Sequence, residues 1–444
     1  MKSFVKIKTY FHSDEDRTIS FLRQVYDDND CLYESVKFLF ADQGDSDKTS
    51  ISFTGKKVLL KPNLVKQNAS RDDEICLFTH PNLILATLKV ILEQKPLSIV
   101  VGDAPIQDCH WEKMLHQDFY DKVQTLSDEY NVPISVRDFR KVIFDSATNT
   151  FGQSKRTDND YLIFDVADRS SLEPITNKKI NFRVTNYDPD RMKLSHAKGM
   201  HKYCIAKEVF EADVVITMPK TKTHRMACLT NSLKILVGIN GDKDYLPHHR
   251  IGSKSQGGDC YKTFSLYRTC SEWLLDFSNR RRGKRIYVYA RRLSDKLWNL
   301  SKPNDEVTVN AGWYGNDTVW RMVMDLNLIA RYGKLDGTLA DTPQRTIYTL
   351  CDGIIGGQGS GPLQPDPLPL GLLSFSNDSY LMDEVMGYLF KLNIEKVPLI
   401  REASEINKDK DKFFELNGTE VQFEKLKALG IDVELAPGWV NYNQ

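Results

Sequence analysis

Apolar residues in this chain fall into short runs that end abruptly at polar, Gly or Pro residues. Val58-Leu59-Leu60 stops at Lys61-Pro62-Asn63, the run 97–101 at Gly102-Asp103, and the run 214–218 at Pro219-Lys220. The run 347–350 stops at Cys351-Asp352-Gly353, and the run 370–375 ends shortly before Asn377-Asp378. Runs of this length, rich in branched residues, predict buried strands. Stretches of helical spacing lie between them, at residues 81–93, 111–130, 319–332 and 379–392,. Thr79-His80-Pro81 supplies a cap and an early proline for the first of these, and Asn316-Asp317-Thr318 a cap for the third,. With a further short strand at 134–136, the alternation predicts an α/β fold: a mostly parallel central sheet flanked by helices.

The remaining stretches set the organisation. Residues 1–50 hold two helical patterns, near 17–26 and 32–40, then an acidic loop at Asp42, Asp45 and Asp47; they predict an N-terminal helical cap. A main α/β domain spans 51–400 with two insertions. The first, about 140–200, is β-rich, with strands near 161–166 and 182–184. The second, about 240–312, opens with a Gly-, Asp-, His- and Ser-rich loop and continues as a helical, basic segment. Residues 401–444 read as a peripheral tail with a short helix near 422–429.

Composition narrows the function classes. Among 444 residues, 41% are hydrophobic and 27% charged, with 60 basic and 60 acidic side chains. That balance gives no general attraction to nucleic acid, and no nucleic-acid partner is expected. No apolar run reaches membrane-span length, and residues 1–6 lack a signal-peptide core, so a cytoplasmic location is expected. The eight cysteines, at 31, 76, 109, 204, 228, 260, 270 and 351, contain no C-x-x-C pair, which argues against an iron–sulfur cluster,.

Candidate chemistry collects at the strand ends, where ligands bind in open α/β sheets. Lys61, Asn63, Lys220 and Lys222 are expected to hold an anion. Apolar spacing at Met226, Leu229, Leu233 and Leu236 predicts a helix directly after His224, whose N-terminus would favour negative charge,. Lys234 falls on the polar face of that helix. His224 and His80 are the candidate acid–base groups, and Asp103 is expected to orient a histidine or, with Asp352, to bind a divalent metal. Lys234, His248 and His249 are further candidates for binding the substrate; the two histidines lie in the long loop with Asp242, Asp244 and Asp259, at spacings that fit no metal motif. Gly357, Gly359 and Gly361 belong to a glycine-rich run that fails both the P-loop and the G-x-G-x-x-G patterns, yet suits a loop closing against a ligand,. Arg280, Arg281, Arg282, Lys284, Arg285, Arg291 and Arg292 form a basic stretch that a solvated helix face would also carry.

Several segments resemble the Domain of Unknown Function 362 family. They are VLLKPNLV at 58–65, Thr79-His80-Pro81, VVGDAP at 100–105, ADVVITMPKTKTH at 212–224, SLKILVG at 232–238, the glycine segment at 352–362, and 378–387. The resemblance implies an α/β fold and a shared site at these motifs, and it supplies no agreed reaction. Some members carry an iron–sulfur module, for which this chain has no cysteine cluster. The leading expectation is an enzyme acting on a small anionic metabolite, either by proton abstraction beside a carboxylate or by phosphoryl-type transfer. The alternatives are a non-catalytic binder using the same pocket and an interaction protein using the basic face at 280–292.

Overall fold

The computed structural model describes residues 2–41, 51–67, 75–145, 148–177, 181–301, 311–440 and 442. The acidic loop expected at Asp42, Asp45 and Asp47 lies outside them. A 12-stranded mixed, mostly parallel sheet forms the centre. Its strands are β1 (Ser3–Thr9), β2 (Lys57–Pro62), β3 (Ser98–Asp103), β4 (Ile134–Asp138), β5 (Val214–Met218) and β6 (Lys220–His224). They continue with β7 (Cys228–Thr230), β8 (Thr346–Ser360), β9 (Gln364–Leu368), β10 (Leu372–Ser376), β11 (Lys412–Leu416) and β12 (Thr419–Glu420).

The strand order is β12-β11-β1-β10-β8-β5-β2-β3-β4, with β6, β7 and β9 attached around the far half of β8. Strands β8, β5, β2, β3 and β4 run parallel. From β2 the chain builds outward to β3 and β4, then returns to lay β5 on the other side of β2. Strand order therefore reverses between β2 and β5, which is where an open α/β sheet leaves a crevice beyond its carboxyl ends.

Side-chain alternation divides the sheet into two faces. Val58, Leu60, Val214, Ile216, Met218, Leu350 and Ile354 face one core, covered by α1 (Ile19–Asp27), α2 (Asn29–Phe40), α3 (Pro81–Leu92) and α4 (Gln117–Tyr130). Leu59, Val215 and Ile347 face a second core. The β-rich insertion packs there, with strands at Tyr161–Asp165 and Met200–Ala206. In the second insertion α5 (Leu266–Asn279) and α6 (Arg285–Leu300) form a hairpin, and α7 (Val319–Tyr332) then closes the second face. Part of the basic stretch anchors this hairpin. Arg280 pairs with Asp190 at 2.6 Å, and Arg282 donates to the Asn186 carbonyl at 2.6 Å. No helix among the described residues is long and apolar enough to cross a membrane.

Four expectations need correction. The N-terminal cap contains both helices, but it begins with β1, which pairs with β10 and β11 inside the central sheet. The tail is likewise not peripheral, because β11 lies parallel to β1 and buries Glu415 and Phe413. Third, no helix starts after His224. At 15 residues β8 overruns the main sheet, so its free edge recruits β6, which then turns back into β7. Helical turns begin only at Lys234 and are of the tighter 3₁₀ kind, Lys234–Ile239. Fourth, the glycine run is not a loop, because Gly356, Gly357 and Gly359 are paired with β9 inside β8. A Cβ on Gly357 would stand 2.8 Å from the Lys222 Cβ, and one on Gly361 2.0 Å from the Thr223 carbonyl oxygen. These glycines let backbones pack in contact.

One buried ion pair ties the N-terminal helices to the sheet. Lys220 and Asp352, both fully buried, meet at 3.0 Å, and Lys220 also donates to the Tyr26 hydroxyl at 2.8 Å. The Tyr26 hydroxyl and the His80 backbone N–H donate to the same carboxylate. The His80 ring stacks on Tyr26 at 4.2 Å. Removing one member leaves an uncompensated buried charge, which costs about 3–5 kcal/mol. Asp352→Ala should therefore shift the denaturant midpoint strongly downward, and Lys220→Met with Asp352→Leu should recover most of the loss. A single Asp352→Ala change that leaves the midpoint within experimental error would refute this role.

Candidate functional site

A cavity of about 360 Å³ opens at the strand-order reversal. Asn63 and Val65 line it from beyond β2, and Asp103 through Gln107 from beyond β3. His224 and Met226 enter from the β6–β7 turn, and Lys234 and Gly238 from the 3₁₀ turn. Lys243 and His248 come from the second insertion. Its floor is the ion pair of Lys61 and Asp103, 2.6 Å apart and buried. Asp103 also accepts from the backbone N–H of Leu64 at 2.6 Å and of Ala104 at 2.8 Å. Burial pushes the Asp103 carboxyl up and the Lys61 ammonium down, and each partner opposes the other's shift. Gly238 covers the pair. A Cβ there would stand 1.9 Å from the Asp103 carboxylate and 2.6 Å from the Lys61 nitrogen, so size alone selects glycine.

Two further lysines give the cavity a positive excess. Lys243 donates to the carbonyls of Ala104 at 3.0 Å and Asn240 at 3.3 Å, with no carboxylate in ion-pair range among the described residues. Lys234 has neither an ion-pair nor a hydrogen-bond partner among them. Burial, and then the charge of Lys243, pushes Lys234 down to about 8. Burial likewise pushes Lys243 down to about 8, with Asp103 opposing. Both stay mostly protonated at neutral pH, so the cavity carries charge that no protein carboxylate cancels.

The two lining histidines hold their protons in opposite ways. His224 Nδ1 accepts from the backbone N–H groups of Met226 at 3.0 Å and Ala227 at 3.2 Å, which leaves the proton on Nε2. His248 Nδ1 lies 2.7 Å from the Leu246 carbonyl and donates to it, which leaves Nε2 with a lone pair. Burial pushes His248 down to about 4 and His224 well below its usual value, the nearby lysines adding to the shift. Both rings are neutral at pH 7, one offering a donor and the other a proton acceptor. Asn63 adds a buried side-chain carbonyl with no hydrogen-bond partner among the described residues.

The cavity divides the expected site residues. Lys61, Asn63, Asp103, His224, Lys234 and His248 meet in or directly beneath the cavity. Lys220, Lys222, His80 and Asp352 do not line it. Lys220 and Asp352 form the buried tie. His80 caps α3, its Nδ1 accepting from the Asn82 N–H at 3.3 Å. Lys222 donates to the Leu77 carbonyl, and burial pushes it down to about 7. The expected shared metal site of Asp103 and Asp352 is not assembled: each carboxylate is bound by its own lysine, Lys61 and Lys220 respectively. Gly357, Gly359 and Gly361 stay outside the cavity, which Pro362 and Leu363 border instead. His249, next to His248 on the chain, turns away toward Cys260 and Glu272. The sequence reading missed Tyr26 and Lys243. Nothing local marks either, since each gains its role through a partner more than a hundred residues away.

Comparisons with known proteins add little chemistry. A search of curated proteins finds no match. A crystal structure of a protein from Thermotoga maritima aligns at 11% identity with a TM-score of 0.30, over 85% of this chain and 59% of that one. The chain thus spans somewhat more than half of that protein's length. A sequence profile described as domain of unknown function matches residues 58–387, most of the strand-end motifs included. The chain belongs to this family, DUF362.

Proposed function

We propose that the cavity binds a small phosphorylated or carboxylated metabolite, and that the protein is an enzyme moving a proton on it. The observation that carries this reading is the pair Lys234 and Lys243, two cations facing one cavity without a carboxylate partner. Holding uncancelled charge in a partly desolvated site is unfavourable until an anion supplies the missing partner. The two ammonium groups would hold the anionic end. His224 would donate through Nε2–H to a neighbouring oxygen, and His248 Nε2 would accept the proton of an adjacent C–H or O–H group. Proton abstraction beside a carboxylate suits this set better than phosphoryl-type transfer, because Asp103, the one cavity carboxylate among the described residues, already serves Lys61. A non-catalytic binder would use the same lysines without needing the histidine pair.

A second reading rests on the α5–α6 hairpin. Trp273, Tyr289 and Leu300 are 63%, 70% and 62% exposed, beside the exposed Arg285 and Arg292. An acidic partner with apolar groups would fit such a face. Pull-down of a binding partner that survives Tyr289→Asp with Arg292→Glu would eliminate it.

Thermal-shift screening of phosphorylated and carboxylated metabolites tests the main reading. A true ligand at about 100 times its Kd stabilises by roughly 2.7 kcal/mol. Lys234→Ala should abolish that shift, and a screen with no Lys234-dependent stabiliser would contradict the proposal. His248→Gln should keep the shift while lowering turnover by about 10²–10⁴-fold. Unchanged turnover would leave the binder reading in place.

Affinity should also depend on pH in one direction. A bound anion raises the pKa of the lysines that hold it, so binding takes up protons where the free lysines titrate. Affinity is then full below about 8 and falls as pH rises through that value,. Titration calorimetry that finds affinity flat or rising across this window would exclude the lysine pair as the anion's partners.

A further inference from the structure

Next to His248 on the chain, a second group of side chains converges around His249. A ring nitrogen of His249, the Cys260 sulfur and a Glu272 carboxylate oxygen lie within 4.8 Å of one another. Three separate segments supply them: the short strand His249–Arg250, the loop before α5, and α5 itself. All three residues are at least nine-tenths buried, at 4%, 3% and 7% exposure. His249 Nδ1 has no hydrogen-bond partner among the described residues, although it is fully enclosed. Buried polar atoms are nearly always satisfied, so an orphaned nitrogen on an imidazole that meets a thiol and a carboxylate calls for a missing partner.

We propose that His249, Cys260 and Glu272 bind a divalent ion of the zinc class, and that this ion fixes the cavity wall carrying His248. Thiolate and imidazole favour such ions, whereas magnesium and calcium take oxygen ligands. Three protein ligands leave a fourth position for water. Charge closes as well. The Cys260 thiol gives up its proton to solvent on binding, and thiolate plus carboxylate then balance a dication. The neighbouring Arg183 is already paired with Asp276 at 2.7 Å, so it adds no net charge. Outer contacts hold the ligands in place. The Gly252 N–H donates to both Glu272 oxygens, at 3.1 and 3.2 Å, and the Cys260 N–H donates to the Gly252 carbonyl at 3.1 Å. Supporting contacts of this kind orient ligands in metal sites.

The ion would act on the cavity through position alone. His249 and His248 are adjacent, so pinning the first restrains the second. Cys260 shares its apolar cluster with Met226, which lines the cavity. The metal site stands whether or not the cavity takes an anion, and metal content tests it separately.

The full chain, stripped with chelator and titrated with cobalt, is the test. Wild type should develop a thiolate-to-cobalt charge-transfer band that saturates at a stoichiometric amount of metal, and elemental analysis of untreated protein should find zinc-class metal at a similar level. Cys260→Ser and His249→Ala should each weaken metal retention by about 10-fold or more. Cys270→Ser, at an exposed cysteine on α5, should change nothing. A wild-type protein with no such band overturns the proposal, and so does a band that survives Cys260→Ser or disappears in Cys270→Ser. Circular dichroism checks that each variant is folded. If Cys260→Ser fails that check, His249→Ala and the wild-type spectrum decide.

Discussion

An ammonium group taken out of water needs a negative or dipolar partner, and this requirement orders the carboxyl ends of the central strands. Five lysines lie there. Lys61 is met by Asp103, Lys220 by Asp352, and Lys222 by a carbonyl of the loop before α3. Lys243 finds only carbonyls, and Lys234 finds no partner among the described residues. The first three are structural. Carboxylates answer the charges of Lys61 and Lys220, Lys222 lies outside the cavity on a carbonyl, and all three hold strands and helices in register. The last two face the cavity with their charge unanswered, so a ligand is the natural completion. Burial alone therefore does not mark the candidate pair; facing the cavity without a carboxylate does.

Strand parity decides which face of the sheet Lys61 and Lys220 take. In β2 and β5 the same alternation that sends Leu60 and Ile216 into one core sends Leu59 and Val215 into the other. Lys61 follows Leu59. Lys220 continues the parity of Met218 and so meets Asp352 beneath the N-terminal helices. The cavity then forms where β2 and β5 diverge in their connections, floored by the Lys61–Asp103 pair and covered by a turn that only Gly238 can make at that distance. Both insertions complete it. The β-rich one supplies the packing behind the turn, and the second delivers Lys243 and His248.

Much of this was legible from local pattern. Strand ends at Lys61, Asp103 and Met218 were readable because an apolar run that stops at a charge or a proline is a strong signal for a buried parallel strand. The switch in sheet order was not, since it depends on which strands pair. The misplacement of Lys220 and Lys222 has a similar cause. A helical stripe at Met226, Leu229, Leu233 and Leu236 lost to the pairing of β6 with the overrunning end of β8, and propensity cannot weigh a partner 130 residues away. The terminal strands were missed because β1 and β11 are short and flanked by polar residues, and each becomes a strand by pairing with the other. Gly357 and Gly361 were correctly seen as sites of close backbone approach, but the approaching backbone is the protein's own. The His249, Cys260 and Glu272 group shows no spacing motif at all.

The central claim is that Lys234 and Lys243 await an anion in the cavity beside His224 and His248. Anomalous diffraction from crystals soaked in selenate, a heavy analogue of phosphate and sulfate, tests it most directly. The account predicts a strong anomalous peak within hydrogen-bond distance of both lysine nitrogens and near His224 Nε2. A cavity without a peak, or a peak at Lys220 and Lys222 instead, would contradict it.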